Sequence, residues 1–269
     1  MIGTLKKLKT ELGQPVIYHL PVGDELHPLN ERIGQPLSLT FTGKIFCIHC
    51  GRKTSKSFSQ GFCYPCFKKL AQCDTCIVKP ETCHYDAGTC REPDWAQSHC
   101  FQPHFVYLAN SSGIKVGITR GNQIPTRWMD QGAIQALPIA RVSSRYLSGL
   151  LEVALAEHVS DKTNWRTMLK GAVDPLDLAA KRDELMAECQ GKIEDLKIRF
   201  GEDSITLLDE AIVTIDYPVD VFPTKVSTHN FDKKADVSGQ LMGIKGQYLM
   251  LDTGVINIRK FAGYEVEVN

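Results

Sequence analysis

No stretch of the 269-residue chain approaches the roughly 18 consecutive apolar residues of a membrane span, so no membrane partner is expected. The opening segment, MIGTLKKLKTELGQP, carries charge but lacks an apolar h-region, which argues against a secretory signal and for a cytoplasmic protein. Net charge is absent as well, because 31 Lys and Arg balance 31 Asp and Glu. Neutrality excludes a strongly basic, non-specific nucleic-acid coat but leaves room for a local basic face. Tandem repeats and low-complexity tracts are missing too, which removes repeat architectures. What remains is the profile of an ordinary soluble globular protein, with 43% hydrophobic and 23% charged residues. The length suits roughly one to three domains with real cores.

Cysteine departs from that profile. Nine of ten cysteines fall between Cys47 and Cys100, and only Cys189 stands apart. In a reducing cytosol this clustering points to metal rather than to disulfides. The charge balance also conceals a segregation. Residues 44–70 hold six Lys and Arg and no acid, residues 104–170 hold eight basic and four acidic residues, and residues 174–221 hold five basic and thirteen acidic ones.

Period-two alternation of Leu37, Leu39 and Phe41 with Ser38, Thr40 and Thr42 predicts a half-buried strand over 37–46. Near the other end, two apolar runs meet at Asp252-Thr253-Gly254, a hairpin signal, and a third strand is expected over 264–268. Neither end can build a core alone, so the two are expected to pair into one small barrel-like or sandwich unit. Between them, residues 105–109 and 114–118 read as strands about a polar turn, followed by a short helix near 126–131 stopped by Gly132. A strand follows over 134–142, where Pro138 signals an edge or a bend. Residues 146–159 read as a helix with Leu147, Leu150, Leu151, Ala154, Leu155 and His158 on one stripe. Asp174 before Pro175 reads as the N-cap of a further helix ending at Gly201, with Cys189 at a core position. The expected fold is therefore α+β. Its segments are a β-rich 1–46, a cysteine-rich 47–103, a β-β-α-β-α module at 104–171, an acidic helical 172–221 and a β unit at 222–269.

Cys47-Ile-His-Cys50 is followed twelve residues later by Cys63-Tyr-Pro-Cys66. Two C-x2-C pairs at this spacing are a strong zinc signal, because each makes a knuckle whose amides face the thiolates and two knuckles complete a tetrahedron. Gly51 eases the first turn and a helix starts on the second pair, the pattern of a zinc ribbon or treble clef. Cys73, Cys76, Cys83, Cys90 and Cys100 supply one thiol more than a second site needs; Cys73 and Cys76 form its knuckle, with His84, His99 and His104 nearby. An iron–sulfur cluster on the same thiolates is the alternative. Four thiolates leave no open coordination position, so such sites are structural. Arg52, Lys53, Lys56, Lys68 and Lys69, interleaved with Phe58, Phe62, Tyr64 and Phe67, suit phosphate contact and base stacking, and Arg120 adds to the same face.

The run FVY at 105–107, KVGIT at 115–119, Arg127 and Glu152 resembles the GIY-YIG nuclease superfamily over about a fifth of the chain. Phe105 replaces the glycine of the first triplet and Lys115 the tyrosine of the second. The resemblance implies phosphodiester hydrolysis, with Glu152 holding one Mg2+ or Mn2+, Arg127 neutralising charge on the phosphate, and Tyr107 or Lys115 positioning or deprotonating the attacking water. The phrases GTCREPDW, KVGITR and GVINIRK, with the cysteine-rich half, also make the chain similar to an uncharacterised bacterial family of unknown function. The expected function is a zinc-binding endonuclease acting on DNA or RNA. The alternatives are a non-catalytic DNA- or RNA-binding or ribosome-associated protein with a degenerate module, and a protein-interaction scaffold.

Overall fold

Alternating apolar side chains make strands, and here they pair across the whole length of the chain. The computed structural model describes residues 1–160, 162–171 and 173–269; the segment boundary expected at residue 172 falls outside them. The chain opens with β1 (Ile2–Thr4), β2 (Lys9–Glu11), β3 (Ile17–Val22) and β4 (Glu25–Pro28) before the long β5 (Pro36–Phe46). The cysteine-rich stretch carries β6 (Lys53–Thr54), α1 (Tyr64–Lys69) and α2 (Pro93–His99). Next come β7 (His104–Asn110), β8 (Ile114–Arg120), α3 (Thr126–Asp130), β9 (Gln135–Val142) and α4 (Arg145–Ala156). α5 (Trp165–Leu169) ends that module, and the acidic stretch folds as α6 (Leu178–Glu188), α7 (Gln190–Phe200), β10 (Ile205–Leu207) and β11 (Val213–Thr214). The chain closes with β12 (Asp236–Lys245), β13 (Tyr248–Leu251), β14 (Gly254–Asn257) and β15 (Tyr264–Val268).

The architecture is mixed α and β with three antiparallel sheets. Strands from both ends share the largest, in the order β1-β15-β5-β12-β13-β14 with β6 on β5. Leu39 of β5 lies opposite Val237 of β12 on one side and Val268 of β15 on the other, and all three are buried. The outward threonines of β5 are bonded across the sheet: Thr40 donates to Asp236 at 3.0 Å and Thr42 to Glu265 at 2.8 Å. The second sheet runs β10-β9-β7-β8, with β11 also on β9, and a β2-β3-β4 meander forms the third.

Two cores flank the second sheet. Tyr107, Trp128 and Met129 join the residues of the end-to-end sheet in one apolar cluster. Val106, Leu108, Leu147, Leu151 and Leu155 join Leu178, Leu185, Cys189 and Ile193 in the other. Cys189 is thus a packing residue, fully buried where α6 passes into α7.

Three local expectations change. Pro138 does not mark an edge, because β9 is flanked by β7 on one side and by β10 and β11 on the other. The proline is accommodated at the register shift of β9 against β7, and between the β10 and β11 ladders, where its missing N–H costs no ladder bond. His158 lies beyond the end of α4 and is exposed, paired with Glu188 at 3.1 Å. The N-cap of the acidic helix is Asp177 rather than Asp174: its carboxylate accepts the Ala180 N–H at 2.9 Å, while the Asp174 carbonyl accepts from Asn110.

Asp177→Ala should therefore cost about 1 kcal/mol in urea unfolding, and Asp174→Ala far less. His104, fully buried at the start of β7, is held down to about 4 by burial and then by the charges of Arg145 and Arg120, against the Gln102 carbonyl that raises it. The unfolded chain takes up that proton near pH 6.5, so this contribution to stability is complete above about 6.5 and is lost as pH falls towards 4, by about 3 kcal/mol in all. Urea unfolding at pH 7 and pH 5 checks this: the difference should shrink in His104→Asn.

Candidate metal centre and basic cleft

β5 ends at Phe46 and delivers Cys47 into a tight turn completed by Gly51, whose φ of +71° an L side chain tolerates poorly. The Gly51 N–H donates to the Cys47 carbonyl and the Ile48 N–H to the Gly61 carbonyl, each at 2.9 Å. Cys63 stands at the N-cap of α1, with Pro65 in its first turn, and Cys66 follows one turn later. The sulfurs of Cys47, Cys50, Cys63 and Cys66 all lie within 4.8 Å of one another, and those of Cys50 and Cys63 are 3.8 Å apart. A tetrahedral thiolate site with bonds of about 2.3 Å has sulfur–sulfur edges of about 3.8 Å. The four could therefore hold a metal ion such as zinc. The local backbone favours ionised sulfur: burial alone would raise the Cys47 thiol, but the amides of Cys50, Cys63 and His49 bring it down to about 6.

The aromatic residues of this region are mostly a miniature core. Phe58 stacks on Phe67 at 5.5 Å and Phe62 is buried, whereas Tyr64 stays exposed. Arg52, Lys53, Lys56, Lys68 and Lys69 are exposed around it, with the Lys56 ammonium 5.4 Å from the Phe58 ring and the Arg52 guanidinium bonded to the Cys50 sulfur. None of these five lines the large cleft beside the cluster; Arg120 does.

That cleft, about 1300 Å³, opens between residues 4–7, the Cys47 turn, the 115–152 part of the central module and residues 259–265. Lys115 on β8, Arg127 on α3 and Glu152 on α4 all reach its wall. Seven Lys and Arg side chains line it against three carboxylates, so its field is positive although the chain is neutral. Lys115 is 5% exposed, held low on the wall of the sheet where its strand bridges Ser160.

Tyr107 behaves differently from the other three. It is fully buried and lies behind the wall, not on it. Its partner across the ladder is Gly117, where a Cβ would sit 2.7 Å from the tyrosine oxygen, so only glycine lets the ring lie flat over β8. Its hydroxyl then donates to Gln131 at 3.1 Å and is bonded to Arg127, both cleft residues. Burial raises its pKa against the lowering effect of Arg127, which keeps it a neutral phenol. Tyr107 thus orients the wall from behind.

Two cleft residues escaped the sequence. Arg145 and Arg259 both reach the cleft, and burial lowers the pKa of each, with Arg127 repelling both. Arg145 carried a sequence signal of its own, since it directly follows the Ser144 N-cap, where the helix dipole disfavours a cation. Arg259 sits in the 3-10 turn Ile258–Phe261, more than eighty residues beyond the module, and nothing local marks it. Asp130 anchors the floor, accepting from Lys7 and from Gln247, both at 2.8 Å.

The Cys73/Cys76 pair does not form one knuckle. Cys73 ends the turn Ala71–Cys73 and packs with Cys47, Phe62, Cys63 and Leu70. The extended Asp74 separates it from Cys76, which lies with Cys83, Cys90 and Cys100 around a different, small cavity. Asp74, Cys76 and His84 also bring one ligand atom each within 4.8 Å. His99 stacks on Trp95 at 4.1 Å and His104 is buried in β7, so neither joins that cavity.

No curated protein and no solved structure matches the chain. Residues 34–266 match the family described as Protein of unknown function (DUF2797), from the end-to-end sheet through the cysteines and the cleft to the last strand. The chain therefore belongs to that family.

Proposed function

We propose that this protein binds nucleic acid in the basic cleft and hydrolyses its phosphodiester backbone, with the Cys47/Cys50/Cys63/Cys66 cluster holding a structural zinc ion beside the cleft. The observation that carries this reading is the convergence of Lys115, Arg127 and Glu152, from three different elements, on one positively charged cavity wall. Arg127, Arg145 and Arg259 would grip the phosphate, and their mutual repulsion is relieved when a phosphate enters. Arg127, fixed by the Tyr107 hydroxyl, would face the non-bridging oxygens on which charge develops. Lys115 would orient the attacking water through an N–H donor. Glu152 is the carboxylate placed to hold a divalent cation, which when bound supplies Lewis acidity at the phosphate. The exposed Arg52, Lys53, Lys56, Lys68 and Lys69 would steer the strand from outside, with Tyr64 as a stacking surface.

A specific observation also supports a binding role without cleavage: Tyr107 is sealed behind the wall, which leaves Lys115 to handle the water. Labelled single- and double-stranded DNA and RNA, incubated with the protein and Mg2+ or Mn2+, separate the two. Cleavage should occur and should fall by about 10²-fold or more in Glu152→Ala and in Arg127→Ala. Binding that persists without cleavage, unchanged by Glu152→Ala, selects the non-catalytic reading, and no binding at low salt rejects both. Arg259→Ala should weaken binding across sequences and reduce the salt slope by about one. Cys63→Ser should lose one zinc ion per chain, measured by elemental analysis, and melt the fold around 47–70.

A further inference from the structure

Between the first metal cluster and β7 lie about thirty residues that cannot hold themselves in place. Residues 71–101 contain 3-10 turns, the seven-residue α2 and no strand. Their buried side chains are few and mostly small: Ala71, Cys73, Pro80 and Ala96. Apolar burial of that size does not offset the entropy of ordering thirty residues, and a segment of this kind ordinarily needs a covalent or metal cross-link. Four cysteines from separate turns border one cavity there, more widely spaced than the thiols of the first cluster. Cys76, Cys83, Cys90 and Cys100 line a cavity of about 20 Å³, walled on its other sides by Ala96 and the rings of Trp95 and Phe101. All four are free thiols.

We propose that Cys76, Cys83, Cys90 and Cys100 form a second tetrathiolate site for one zinc-class ion, and that Cys73 is the surplus cysteine. Cys73 is turned into the core of the first cluster, against Cys47 and Cys63. In the competing trio of Asp74, Cys76 and His84, the carboxylate and the imidazole are already committed to polar partners. Asp74 caps the next turn through the Thr75 N–H at 2.6 Å and pairs with Arg91 at 2.8 Å, while the two His84 nitrogens face Thr89 at 2.7 Å and Asp74 at 3.4 Å. Asp74 and His84 are thus held at the rim of the cavity by one another and by Arg91 and Thr89.

Charge favours the same assignment. Four thiolates on a divalent ion leave two negative charges in a poorly solvated place. Arg145 stands beside them: its own backbone N–H donates to the Cys100 carbonyl at 2.8 Å, and its guanidinium feels the sulfurs of Cys100 and Cys76. Its Nε is buried with no hydrogen-bond partner among the described residues, an expensive state for a cation unless anionic charge lies nearby. The site also braces the cleft. The turn Pro80–Thr82 packs on α4 so closely that a Cβ on Gly149 would lie 2.6 Å from Pro80, and α4 carries Glu152.

Elemental analysis of the full chain, purified anaerobically with reductant, tests the assignment. Wild type should be colourless and carry two zinc ions per chain. Cys90→Ser and Cys100→Ser should each retain one, and Cys73→Ser should retain both. Zinc X-ray absorption on the wild-type protein, which does not depend on the variants folding, should show sulfur alone at about 2.3 Å. One zinc per chain in wild type, with Cys63→Ser then holding none, overturns the second site and leaves the first intact. Two zinc ions retained by Cys90→Ser, nitrogen or oxygen scatterers at the metal, or iron with visible absorption would each overturn it as well.

Discussion

Hydrogen bonds pinning β5 and its neighbours to strands from the far end of the chain hold the walls of the cleft in place. The Phe46 N–H donates to the Gly263 carbonyl at 2.7 Å, the Leu5 N–H to the Tyr264 carbonyl and the Gly263 N–H to the Leu5 carbonyl, the last two at 2.8 Å. Because β5 runs straight into Cys47, this pairing sets the metal turn, residues 4–7 and Arg259 side by side. Closing a loop of more than two hundred residues costs entropy that grows only slowly with length. The continuous apolar face of Leu37, Leu39, Val237, Val266 and Val268 offsets that cost. The second sheet docks through Tyr107, Trp128 and Met129 into the same core, which brings the β-β-α-β-α module to the opposite wall.

The electrostatics of the cleft follow from that assembly. Arg145 and Arg259 lose water at its wall, and Arg127 raises the cost of charging both. Asp130 and Glu152 offset part of this, but the cleft keeps a positive excess. Such a concentration of like charge is costly in a chain whose net charge is zero. The helices α6 and α7, whose own five basic and five acidic residues balance, do not neutralise the cleft. They pack on the opposite face of the second sheet, against Leu147, Leu151 and Leu155 of α4.

Local chemistry made much of this legible in advance. The alternation over 37–46 became β5, the Asp252-Thr253 turn joined β13 to β14, and the polar turn after Asn110 joined β7 to β8. Each signal lies within a dozen residues, the range over which side-chain period, turn chemistry and metal-knuckle spacing act. The two C-x2-C pairs belong to the same class, since each knuckle is built by its own backbone and only their meeting is tertiary.

What the residues nearby could not settle was decided by packing. Cys73 and Cys76 have the spacing of a knuckle, yet one extended residue between two turns sends their sulfurs to different cores. Asp174-Pro175 has the composition of a helix start, but its carbonyl is drawn to Asn110 and the cap passes to Asp177. Pro138 sits in a central strand because neighbours on both sides leave its nitrogen unpaired, which depends on registers no local pattern encodes. Tyr107 is hidden by the absence of a side chain at Gly117 across the ladder. Arg259 reaches the cleft only because the last strands fold back onto β5. The sequence by itself determined the longer strands and helices and the two knuckles that bring Cys47, Cys50, Cys63 and Cys66 together. The tertiary structure alone decided which charges share one cavity, because long-range strand pairing and loop closure bring together residues that no periodicity connects.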